Sequence, residues 1–157
     1  MACSDPSGHP VENLDLVVML PDKLLNIAEE KIPREQTAGK ILGVYFSANW
    51  CPPCRAFTPK LISLHNAHAE EFEVIMVGSD GNQEEQTKYM RKYAMPWLAI
   101  PNGSKEAKAL AQTLEVSGIP HLVILAPNGN VISADGRQDL EAHGENAFHT
   151  WRKAVGP

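Results

Sequence analysis

The segment that most constrains this chain is Ile41-Leu42-Gly43-Val44-Tyr45-Phe46, which runs into Trp50-Cys51-Pro52-Pro53-Cys54 and then into a helical pattern. The first six residues are apolar or small and rich in β-formers, with no polar alternation. A strand of that kind buries both faces, as in the middle of a sheet covered by helices on either side. After the cysteines, Phe57, Leu61, Leu64 and His68 recur at three- and four-residue spacing, so the helix carries one apolar stripe. Pro59 falls inside that pattern and is expected to kink it. A second doubly buried strand is expected at Phe72–Val77. Strand, redox-capable cysteine pair, helix and strand therefore follow one another without a linker.

The rest of the chain extends this alternation. Residues 1–13 are rich in Pro, Gly, Ser and Asp and are expected to be a disordered lead-in to a single domain over 14–157. Leu14 to Leu20 is an apolar run that reads as a strand or as the start of a helix reaching about Ala28, and Lys31–Arg34 as a further short strand. The turn Gly78–Asn82 leads to a helix over Gln83–Ala94. Residues 95–101, bracketed by Pro96 and Pro101, read as irregular, and Ser104–Leu114 as a helix. Strands are expected at His121–Ala126 and Val131–Ala134 around Asn128-Gly129, a pair that signals a hairpin. One last helix is expected over Asp139–Lys153, and Gly136 and Arg137 before it have no assignable role. The fold class is α/β, a central mixed β-sheet flanked by helices on both faces.

Bulk properties exclude several functions. A length of 157 residues, 43% hydrophobic and 21% charged, suits a globular domain able to bury a core. The net charge of −5 and the lack of a long Lys/Arg run argue against nucleic acid or an anionic membrane as partner. No apolar stretch reaches transmembrane length, and the first twenty residues lack the pattern of a signal peptide. Three cysteines are too few for a disulfide-stapled scaffold, and in a reducing compartment a close pair points to redox or metal chemistry. Cys3 reads as a free thiol in a tail, with a lipid-anchor cysteine as the less favoured alternative.

The placement of the pair explains why redox chemistry is the stronger reading. Disulfide exchange requires an accessible thiolate. A cysteine at a helix start faces unpaired N–H groups and the positive end of the helix dipole, which favour negative charge on sulfur. Cys51 is expected there, with Cys54 one turn on, placed to resolve a mixed disulfide. Pro52 and Pro53 preset φ for the first turn and lack N–H groups that would go unused. A zinc site would need further ligands, and His65 and His68 lie about 15 Å or more along the helix axis at the usual rise per residue. No metal and no cofactor is expected. Ser117-Gly118-Ile119-Pro120, directly before a strand, suits a cis-proline turn, against the base rate for an ordinary trans proline.

Taken together, Tyr45 to Pro59 and Gly118-Ile119-Pro120 resemble the thioredoxin superfamily, and more narrowly its tryparedoxin and nucleoredoxin branch. The resemblance runs from about Gly39 to Trp151, and Met95-Pro96-Trp97-Leu98-Ala99-Ile100-Pro101 is a second echo of that branch. It implies a thioredoxin fold, Cys51 as nucleophile and Cys54 as resolving cysteine. It also implies a cis Pro120 against the disulfide, holding an extended client segment with Ile119, and Trp50 and Trp97 as aromatic walls. Three departures stand out. Tyr45 occupies the position, six residues before the first cysteine, where ordinary thioredoxin carries a buried aspartate. Gly78-Ser79-Asp80-Gly81 stands where tryparedoxins show Trp-Asp-Glu, and His121 replaces the usual threonine after the cis-proline.

Asp80 is a candidate base for the resolving thiol, although a turn or helix-cap role is favoured over that. Arg55 is a candidate to stabilise the thiolate or contact an acidic client, with a solvated arginine equally expected. His121 either titrates near the dithiol or points away along its strand. Trp97 is expected to wall the site because proline-bracketed segments tend to be surface loops.

The expected function is a monomeric thiol–disulfide oxidoreductase acting on protein disulfides, with a small dithiol, glutathione or a reductase as electron donor. The expected location is cytoplasmic. The alternatives are a nucleoredoxin-like redox-sensitive adaptor, or an extracytoplasmic thioredoxin like those of cytochrome c maturation, its signal removed ahead of Cys3.

Overall fold

The computed structural model describes residues 20–155. The expectations for residues 1–13 and for Leu14 onward to residue 19 lie outside the described residues. Seven strands form one sheet: β1 Lys23–Leu25, β2 Lys31–Pro33, β3 Ile41–Ser47, β4 Phe72–Gly78, β5 Leu98–Ala99, β6 His121–Leu125 and β7 Val131–Ser133. The helices are α1 Pro52–Ala67, α2 Gln83–Lys92, α3 Lys105–Thr113, α4 Gly136–His143 and α5 Asn146–Val155, with a short 3-10 turn at Arg34–Thr37.

The strand order is β2-β1-β5-β4-β3-β6-β7. β3, β4 and β5 run parallel, whereas β6 and β1 join them antiparallel, so the sheet is mixed as expected. β3 lies inside the sheet between β4 and β6, and all seven of its residues are buried. Its side chains alternate between two cores. Ile41 and Tyr45 join one with Phe72, Val74 and Met76 of β4, while Leu42, Val44 and Phe46 join the other with Ile75 and Val77. The first core is covered by Phe57, Leu61 and Leu64 of α1, Tyr89 and Met90 of α2, Leu140 of α4 and Phe148 and Trp151 of α5. The second is covered by Ala107 and Leu110 of α3. Helices therefore flank both faces, and the apolar continuity of β3 and β4 reflects burial on each side.

Several expected elements are corrected. The first described strand is Lys23–Leu25, in place of a helix reaching Ala28. Leu98–Ala99, expected to be irregular, is a two-residue strand that pairs Ile75↔Leu98 and Met76↔Ala99, continuing the parallel ladder. Two residues are too few for a period-two pattern to be visible. The single closing helix is two helices, broken at Gly144, whose φ of 57° and ψ of −138° lie where only glycine sits comfortably. Gly136 has a role after all: it opens α4 against β6, and a Cβ there would stand 2.9 Å from the Leu122 side chain. His68 follows the stripe of α1 only as its C-terminal cap, with its ring stacked 4.1 Å from that of Phe148.

Candidate active site

The site begins where β3 leaves the sheet at its carboxyl end. Ala48 to Cys51 form a tight turn closed by Cys51 N–H on the Ala48 carbonyl at 3.3 Å. Cys51 then caps α1: its sulfur accepts the Cys54 N–H at 3.3 Å, and its carbonyl accepts the Arg55 N–H at 3.1 Å. Pro52 and Pro53 fill the first two helical positions, where their missing N–H groups leave nothing unsatisfied. The two sulfurs form a disulfide with Cα atoms 5.2 Å apart. Both cysteines are buried, while Trp50 beside them is 63% exposed.

Across from the dithiol, the Ile119–Pro120 peptide is cis. The Ile119 carbonyl oxygen lies 3.8 Å from Cys51 Sγ. The turn before β6 and the start of α1 thus meet at one sulfur, although they are 68 positions apart in sequence.

The other candidate residues are placed as follows. Asp80 is only 7% exposed, and its Oδ1 accepts the Asn49 N–H at 2.9 Å, tying the turn before Cys51 to the end of β4. It does not cap α2; Asn82 does, accepting the Glu85 N–H at 2.9 Å. Burial pushes the Asp80 carboxyl up from the usual range, the Asn49 N–H pulls it back, and nearby Glu85 raises it further. Arg55 donates to the Asn49 carbonyl, so its guanidinium braces the same turn. Trp50 Nε1 donates to the Ser79 carbonyl at 3.2 Å, fixing the indole over the β4–α2 loop. His121 packs edge-on to Phe46, ring centroids 6.2 Å apart. His65 and Glu73 hydrogen-bond at 2.9 Å, away from the cysteines.

Trp97 is a correction. It is 1% exposed and sits in the core beside Tyr45 and His65, with ring centroids 6.2 Å and 5.8 Å away, rather than in a surface loop. Pro96 and Pro101 lie on either side of the short strand it precedes but do not expose it.

Sequence reasoning missed a buried chain of hydroxyls under the dithiol. Tyr45 and Thr58 share a hydrogen bond of 2.7 Å, Thr58 and Tyr89 another of 2.7 Å, and Tyr89 and Ser47 a third of 2.7 Å. The Tyr45 hydroxyl also reaches the Cys54 carbonyl at 3.4 Å. These bonds tie β3, α1 and α2 together. Burial pushes both phenols well above the usual tyrosine range, so they remain neutral. One signal was available: Thr58 stands four residues after Cys54, on the same face of the helix.

Comparison with known proteins accords with this geometry. A family model described as Thioredoxin-like matches residues 39–131. Probable nucleoredoxin 1 of Arabidopsis thaliana is 42% identical over 121 residues, covering 75% of this chain and 21% of that protein. The chain spans between about a fifth and a third of the first curated relatives it matches. Tryparedoxin II from C. fasciculata is 38% identical with a TM-score of 0.75, over 85% of this chain and 90% of that one. A structure of tryparedoxin II complexed with glutathionylspermidine aligns with a TM-score of 0.74 at 37% identity, over 85% of this chain and 94% of that one. The chain belongs to the thioredoxin-like family, in its tryparedoxin and nucleoredoxin branch.

Proposed function

We propose that this chain reduces or exchanges disulfides in client proteins through Cys51 and Cys54. The observation that carries the reading is the position of Cys51 Sγ, which caps α1 with the Cys54 N–H on it and faces the Ile119 carbonyl of the cis-proline turn. In the reduced state, the helix start and this N–H favour a thiolate at Cys51, the attacking form. Cys51 attacks a client disulfide and forms a mixed disulfide, and one client thiolate leaves. Cys54, one turn further on, attacks Cys51 Sγ and releases the second client thiolate, which leaves the oxidised enzyme. Ile119 and Pro120 offer backbone to an extended client segment, and exposed Trp50 shields one side of the exchange. A small dithiol, glutathione or a reductase returns the electrons; the tryparedoxin II complex with glutathionylspermidine makes a thiol of that kind a reasonable donor to try. Among the described residues no helix is long and apolar enough to cross a membrane. The proposed setting is the cytoplasm, where thiols are kept reduced, and the proposed working form is a monomer.

Insulin-disulfide reduction driven by dithiothreitol tests the reading. Wild type is expected to accelerate precipitation of the insulin chains, and Cys51→Ser to return the rate to background. A Cys51→Ser protein as fast as wild type overturns it.

A further inference from the structure

The buried hydroxyls beneath the dithiol join the two ends of the turn that carries it. Ser47 is the last residue of β3, just ahead of that turn, and its hydroxyl meets the Tyr89 hydroxyl at 2.7 Å. Tyr89 meets Thr58 at 2.7 Å, Thr58 meets Tyr45 at 2.7 Å, and the Tyr45 hydroxyl reaches the carbonyl of Cys54, past the turn, at 3.4 Å. A carbonyl can only accept, so Tyr45 donates to it and every hydroxyl behind it donates forward: Thr58 to Tyr45, Tyr89 to Thr58 and Ser47 to Tyr89. Each hydroxyl carries one proton, so the chain has no spare donor. All of its members are fully buried, away from competing water. Burial also keeps both phenols protonated.

We propose that this hydroxyl chain is a clasp on the redox turn, with Tyr89 the positioning residue that keeps Cys54 within reach of Cys51 in the reduced protein. The proposal rests on the oxidoreductase reading above. No atom of the chain is a sulfur, so cleavage of the S–S bond removes none of its hydrogen bonds. The reduced turn therefore stays anchored at both ends, at Cys54 through its carbonyl and at Ser47, whose own carbonyl accepts the Ser79 N–H at 2.9 Å. A thiol held in this way acts on its neighbour at a high effective concentration. In the resolving step a bond forms between the Cys54 and Cys51 sulfurs as the Cys51–client bond breaks. The client sulfur leaves with the electron pair and ends with the proton that Cys54 loses. Opening the clasp gives the reduced turn conformations in which the two sulfurs stand apart, whereas the oxidised turn is still tied by its covalent bond and gains fewer. Loss of the Tyr89 hydroxyl thus shifts the equilibrium from disulfide toward dithiol.

Equilibration of the full chain with mixtures of reduced and oxidised dithiothreitol at neutral pH tests the proposal. Tyr89→Phe keeps the ring that packs on Tyr93, centroids 5.4 Å apart, and removes only the hydroxyl. Its equilibrium constant is expected to move about fivefold toward the dithiol, the scale of one hydrogen bond. That change makes the couple about 20 mV more oxidising. Ser47→Ala opens the clasp at its other end without touching a ring, and is expected to give the same shift. The double variant is expected to shift no further than either single one, because one break already frees the turn. A merely structural role would weaken both redox forms alike, so variants that lose stability in urea yet keep the wild-type equilibrium overturn the proposal. Shifts that add in the double variant overturn it too, since the hydroxyls would then act separately. Either result leaves the oxidoreductase reading intact, whereas a wild-type cysteine pair that does not exchange with dithiothreitol overturns both.

Discussion

The Tyr45 hydroxyl lies in the core 2.7 Å from Thr58 Oγ1, with the Cys54 carbonyl also in reach at 3.4 Å. A carboxylate at this position would carry charge beneath the dithiol. A phenol instead offers a neutral group that can donate one hydrogen bond and accept another, and Thr58 and the Cys54 carbonyl are its partners, with Thr58 passing the chain on to Tyr89 and Ser47. The cost of burying such a group depends on its partners, and losing one bond in the chain costs about 1 kcal/mol. Burial raises the folded-state pKa of Tyr45 above its unfolded value. Its contribution to stability is therefore fully present below the unfolded pKa, around pH 10, and is lost as pH climbs from there toward the folded value. Tyr45→Phe should lose about 1 kcal/mol at neutral pH. It should also lose stability less steeply than wild type above about pH 10, with Tyr89, likewise raised, keeping part of the slope. Urea unfolding of both proteins from neutral to alkaline pH checks this, and parallel curves would show that the Tyr45 hydroxyl does not titrate on unfolding.

At the scale of elements, legibility followed how many residues an element offers to a pattern. β3 and β4 are each seven residues long, and their unbroken apolar runs could be read as doubly buried strands because both cores draw on them. β5 has two residues and exists because the Met76 and Ile75 backbone extends to it, which is a tertiary cause with no local signature. The start of α1 was legible for a chemical reason, since the Cys-Pro-Pro-Cys spacing fits a capped first turn. The hydroxyl chain and the Asp80–Asn49 bond were not, because they join residues 13 to 42 positions apart that only the folded sheet brings together. The break between α4 and α5 lay in between. Gly144 is visible in the sequence, but the apolar spacing of Leu140, Ala147, Phe148 and Trp151 runs across it. Its backbone, at φ 57° and ψ −138°, is close to a region that other residues enter only with strain of about 1–3 kcal/mol. A Cβ at Gly144 meets no atom within 4 Å, so conformation alone should set the cost. Gly144→Ala is therefore expected to lower unfolding free energy by about 1–3 kcal/mol with no change in m-value. A neutral substitution would mean that the two helices can merge or that the turn can adopt another conformation.

For the whole molecule, the two cores on either face of the sheet are complete without the cysteine pair, which sits at the carboxyl end of β3 and bridges positions only three apart. A cross-link stabilises mainly by restricting the unfolded chain, and so short a loop restricts little: the chain-entropy relation gives about 2 kcal/mol. A redox-active disulfide also needs this separation, because a bridge on which folding depended would unfold its owner at every turnover. The reduced protein keeps the contacts that cover both sheet faces, from Phe57, Leu61 and Trp151 on one side to Ala107 and Leu110 on the other. The double variant Cys51→Ser/Cys54→Ser should therefore fold to the same structure and unfold cooperatively, within about 2 kcal/mol of the oxidised wild type. Urea denaturation in the absence of reductant measures the difference, and amide hydrogen exchange of β3 and β4 reports whether both cores persist. A double variant that is unfolded, or that loses protection throughout the sheet, would show that the disulfide organises the fold; the geometry instead makes it a reversible attachment to a fold that stands without it.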